Sequence, residues 1–126
     1  MVKDLSMIAQ KTKYALPAFL FVQRGLDHTV RGIHGDLDES KPSRSRHVTG
    51  QELCEGLRDF AIQEYGLLAR TVLRRWNITS CEDFGHIVFA MVDSGLMQKT
   101  ENDTIHDFVG IFDFAEAFSP QLSLSD

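Results

Sequence analysis

Between Thr49 and Phe114 the chain reads as helix, helix, turn, helix and then an alternating apolar pattern, and few folds accept that order. The first helix opens on a capping box, Thr49 to Glu52. The threonine hydroxyl can accept the third helical N–H while the glutamate reaches back to the cap N–H. Leu53, Leu57, Phe60, Ala61 and Tyr65 then share a face, and Gly66 stops the run. Residues 67–76 predict a second helix with Leu68, Val72, Leu73 and Trp76 turned inward. Asn77, Ile78 and Thr79 read as a tight turn. A second capping box, Ser80 with Asp83 or Thr79 with Glu82, opens a third helix that places Phe84, Ile87, Val88, Met91 and Val92 inward and ends at Gly95.

Beyond it, 96–100 reads as a strand, 101–104 as a turn and 105–114 as a second strand, with Phe108, Phe112 and Phe114 on one face and Val109 and Ile111 on the other. Three helices followed by a C-terminal β-hairpin predict a winged helix-turn-helix-like core, in a mainly α (α+β) chain.

An N-terminal amphipathic helix precedes that core. Residues 2–12 form a first short helix with Leu5, Ile8 and Ala9 on one side. Pro17 sits where a first-turn proline costs no hydrogen bond, and from it Phe19, Val22, Leu26, Val30 and Ile33 recur at helical steps. Residues 34–48 have almost no apolar content and no period, so they read as an exposed linker. The 126 residues make one domain, 43% hydrophobic and 25% charged, as in ordinary soluble proteins. It divides into an N-terminal helical segment (1–33), a linker (34–48), the winged-helix-like core (49–118) and a tail (119–126). The start lacks the apolar core of a signal peptide, and Pro17 breaks the longest apolar run, 15–22. A cytoplasmic protein without a membrane span is the expectation. Counting leaves open one disulfide between Cys54 and Cys81, but two buried thiols in a reducing compartment is the preferred reading.

Charge decides what the fold can do. Residues 1–49 carry eight Lys/Arg against five Asp/Glu, residues 50–79 carry four of each, and residues 80–126 carry one lysine against nine acids. In a winged helix the third helix reads the major groove, yet this one holds Glu82, Asp83 and Asp93 and no cation. Affinity for nucleic acid comes from neutralising phosphates, so ordinary groove docking is disfavoured. A different mode stays open if Lys41, Arg44 and Arg46 of the linker converge with Arg70, Arg74 and Arg75 into one anion-binding patch. Phe108, Phe112, Phe114 and Phe118 form an aromatic group larger than a small hairpin needs. Most would be core beneath the N-terminal helix, and any surplus a partner surface.

No motif supports catalysis, a metal or a cofactor. His34, Asp36 and Asp38, and the pair His106–Asp107, lack the spacing of zinc or calcium sites. There is no nucleophile elbow, and the glycines do not cluster as a phosphate cradle.

Four segments carry a resemblance to a known family: His47–Leu53, Gly66–Leu73, Cys81–Phe89 and Asp107–Phe114. Over Tyr14 to Phe118 the chain resembles a conserved hypothetical family described mainly from Planctomycetes and Verrucomicrobia. It departs at Asn77, where that pattern has glycine, and at Cys81, where it has threonine. The resemblance implies a bacterial cytoplasmic protein and a self-contained domain, and it transfers no activity. The reading is thus a non-enzymatic binding module for an unknown protein partner or a second copy. A nucleic-acid-associated regulator working through the basic residues is the alternative.

Overall fold

Both capping boxes form as the sequence predicts, and they set where the central helices begin. In the computed structural model, which describes residues 5–34, 48–95 and 105–118, the Glu52 amide donates to Thr49 Oγ1 at 3.0 Å and the Thr49 amide donates to Glu52 Oε1 at 2.9 Å. The helices are α1 (Leu5–Gln10), α2 (Leu16–His34), α3 (Gly50–Tyr65), α4 (Ala69–Arg75), α5 (Cys81–Asp93) and the single turn α6 (Phe114–Ala117). Short 3-10 turns occupy Gly66–Leu68 and Ile105–Phe108.

The core gathers around Phe21 of α2, which is 1% exposed. Its ring lies 5.4 Å from Phe60 of α3, 5.7 Å from Trp76 and 6.5 Å from Phe84 of α5. The N-terminal helix is therefore the middle of the core, not a segment added to it. The α2–α3 contact is close because Gly56 faces Thr29; a Cβ there would overlap the threonine side chain.

Helical turns make up 78% of the described residues and none of these is in a strand, which overturns the winged-helix reading. The predicted strand 96–100 and turn 101–104 lie outside the described residues. The predicted strand 105–114 is instead a 3-10 turn, a bend through Gly110 at φ 68°, and the start of α6. Two local forces explain the difference. The Asp113 carboxylate caps α6 by accepting the Glu116 amide at 3.2 Å. The 105–108 turn also seats on Gly85 of α5, where a Cβ would stand only 2.7 Å from the Phe108 ring.

α5 is likewise no exposed reader. It buries Cys81, Asp83, Phe84, Ile87, Val88 and Met91, and packs against α1, α2, α3 and the 105–108 turn. The second predicted helix is shorter than expected, and Leu68 is 63% exposed instead of inward. Ala69 and Leu73, one helical turn apart, carry the buried face of α4. At the next turn Asn77 adopts φ 69°, a backbone region that favours glycine, and its Nδ2 donates to the Lys13 carbonyl at 2.6 Å.

Candidate functional site

The 3-10 turn at Gly66–Leu68 and helix α4 form one corner that is both apolar and cationic. Gly66 ends α3 with φ 55°, and the chain turns before α4 can bury its inward face. Leu67 and Leu68 are left 74% and 63% exposed. Arg70 and Arg74 are four residues apart and share a side of α4, with Arg75 next to them, and all three are exposed. Four other described cations are paired: Arg24 with Glu64 at 2.9 Å, Arg31 with Asp27 at 3.1 Å, Arg58 with Asp59 at 3.1 Å and Lys13 with Asp83 at 3.6 Å. Among the described residues the α4 arginines have no carboxylate partner. The C-terminal end of the helix dipole favours Arg74 and Arg75 but leaves their guanidinium donors free for a partner.

Lys41, Arg44 and Arg46, the other half of the predicted basic patch, lie outside the described residues. The aromatic group, expected to be mostly core with any surplus a partner surface, lies largely inside the protein. Phe108, Phe114 and Phe118 are buried, and Phe112 is half-buried with the Arg58 guanidinium 5.5 Å above its ring. Their cover comes from α5 and α3, with Phe84 5.7 Å from Phe114 and Phe89 edge-on to Phe108 at 6.0 Å. Leu67 and Leu68 are what sequence reasoning missed. Consecutive leucines cannot both face the core of a helix that already buries Ala69 and Leu73, and that conflict was the available signal.

A surface cleft of about 380 Å³ lies between α2 and α3, lined by His28, Thr29, Glu52, Glu55 and Asp59 with two glycines. His28 lies with its ring 5.2 Å from that of Phe60, and the other polar side chains are engaged. Glu52 closes the capping box, Glu55 accepts from Gln51 at 3.4 Å, Asp59 pairs with Arg58, and the buried Thr29 hydroxyl donates to the Gly25 carbonyl at 2.7 Å. Among the described residues no three His, Cys, Asp or Glu side chains converge to hold a metal ion.

Two buried polar clusters tie the elements together. Asp83, 5% exposed, accepts from the Tyr14 hydroxyl on one oxygen and from the Thr79 and Ser80 amides at 2.8 and 3.1 Å on the other. Burial pushes its carboxyl up, but the Tyr14 and Thr79 hydrogen bonds and the Lys13 ammonium outweigh that and leave it below the usual 3.8. Burial, reinforced by the Asp83 charge, raises the Tyr14 hydroxyl. The second joins Cys81, at the first position of α5, to the bend before α6, its Sγ donating to the Phe112 carbonyl at 3.5 Å. Cys81 and Cys54 inside α3 are both free thiols, 3% and 0% exposed.

No family model, curated protein or solved structure matches this chain. No described helix is long and apolar enough to cross a membrane.

Proposed function

We propose that the chain is a non-enzymatic, cytoplasmic protein-interaction module that assembles through the α4 corner, with the acidic C-terminal part of a second copy as the partner. The observation that carries this reading is the pairing of Leu67 and Leu68, both well over half exposed, with three arginines that lack carboxylate partners among the described residues. Exposed leucines beside free guanidinium groups suit a protein surface, where an apolar centre is ringed by polar contacts. The complement is present in the same chain, whose residues 80–126 carry nine acids against one lysine. Among them Glu82, Asp113 and Glu116 are exposed. Free thiols at both cysteines fit a reducing compartment.

Nucleic acid is the second reading, favoured by the same unpaired arginines. The two separate by salt and by concentration. Sedimentation velocity of the full chain should show concentration-dependent self-association that weakens as salt rises. A strictly monomeric protein at low salt and high micromolar concentration contradicts assembly. Tight, salt-sensitive binding of a mixed-sequence duplex, lost on reversing Arg70, Arg74 and Arg75 to glutamate, would favour the regulator instead.

A further inference from the structure

The α4 corner and the acidic residues that would meet it in a second copy are neighbours within one molecule. Backbone hydrogen bonds fold the chain back onto the end of α4. The Trp76 and Asn77 amides donate to the Leu73 and Arg74 carbonyls at 3.0 Å, and the Ile78 amide donates to Leu73 at 2.9 Å. Ile78 is thus held at the level of Arg74 and Arg75. Glu82, exposed in the first turn of α5, follows four residues later and so stands within about 14 Å of Ile78. Asp113 and Glu116 join it there. Cys81 Sγ donates to the Phe112 carbonyl at 3.5 Å, and Glu82 and Asp113 are the residues next to that contact on its two sides. Glu116 is three residues further on, its amide donating to the Asp113 carboxylate at 3.2 Å.

Arginines and carboxylates therefore lie side by side at one end of the molecule, yet among the described residues no ion pair joins them. Two nearby cations are engaged elsewhere. Lys13 pairs with Asp83 at 3.6 Å, and Arg58, above the Phe112 ring, pairs with Asp59 at 3.1 Å. Arg70, Arg74 and Arg75 on one side, and Glu82, Asp113 and Glu116 on the other, are left for another molecule.

Symmetry decides what such a surface does. A patch and its complement on opposite sides of a molecule add copies head to tail, into rings or open chains. When the two adjoin, a two-fold rotation lays each on its complement and closes the assembly at two chains. On the reading that the chain assembles through the α4 corner, we infer that this corner and the rim of Glu82, Asp113 and Glu116 are two halves of one self-complementary face, on which a second copy docks across a two-fold axis. Each arginine group meets the carboxylates of the other chain, with Leu67 and Leu68 as the apolar part of the contact. The charges set register and partner choice more than raw affinity.

Sedimentation velocity of the full chain over a concentration series at low salt tests this. The expected species is a dimer that stays a dimer as concentration rises. Glu82→Arg/Glu116→Arg and Arg74→Glu/Arg75→Glu each set like charges against like, and each should weaken self-association about tenfold. Mixed one to one, the two variants should dimerise as tightly as wild type, because the reversed groups of one face the reversed groups of the other. That recovery also shows both variants to be folded. A dimer indifferent to Glu82→Arg/Glu116→Arg, a mixture that stays monomeric, or species that keep growing past the dimer would overturn the two-fold face and leave assembly through the corner standing. A wild type that never self-associates would remove the assembly reading, and this inference with it.

Discussion

Replacing Tyr14 with phenylalanine removes one donor from Asp83 and should cost about 2 kcal/mol, the usual worth of a hydrogen bond to a buried charge. Urea denaturation of the variant against wild type measures it. Asp83 also gives stability a defined acid limit. Its carboxyl is held below 3.8, so an unfolded Asp83 takes up a proton before the folded one does. Its contribution is complete above that range and is lost as pH falls through the lowered value. Asp83→Asn should therefore destabilise strongly at neutral pH and much less at about pH 2, and a constant difference across that range would exclude the linkage. Tyr14 acts at the other extreme. Its hydroxyl is raised above 10, so its contribution holds below that pH and is lost as pH rises through the raised value. At the surface Thr49→Ala removes the cap of α3 and should cost about 1 kcal/mol, read from the same urea denaturation.

Elements were legible in the sequence where chemistry marks their ends. α3 and α5 each open on a capping box whose partners are three residues apart, and α2 follows its apolar spacing from Pro17. The 105–114 segment misled because alternate phenylalanines imitate a strand, and a two-stranded hairpin has little stability of its own. The contrary signal was present: Asp113 and Glu116 have the spacing of a cap, and Gly110 precedes them. The site was less legible. Arg70, Arg74 and Arg75 could be picked out by charge, whereas the Tyr14–Asp83 hydrogen bond joins residues 69 apart in sequence and no local pattern announces it. The helical form of 105–108 makes its own prediction. Gly85→Val should drive a side chain into Phe108 and Ile105, displacing the 3-10 turn, with a loss of about 1–3 kcal/mol. A strand at 105–114 would leave Gly85 tolerant.

On the scale of the whole molecule, α2 passes through the centre with rings of α3, α5 and Trp76 around Phe21, and the C-terminal turns close against α5. Phe21→Ala should cost about 3–5 kcal/mol and lower cooperativity throughout, since its ring touches three other elements. With the C-terminal phenylalanines buried in that core, the α4 corner combines the two most exposed large apolar side chains among the described residues with three arginines that lack carboxylate partners there. Sedimentation velocity of the Leu67→Asp/Leu68→Asp double variant beside wild type tests this most directly, because neither leucine is buried and the fold should survive. The variant should keep its helical circular dichroism and melting and no longer self-associate, while wild type does. Equal association of both proteins, or none by either at low salt, would contradict it.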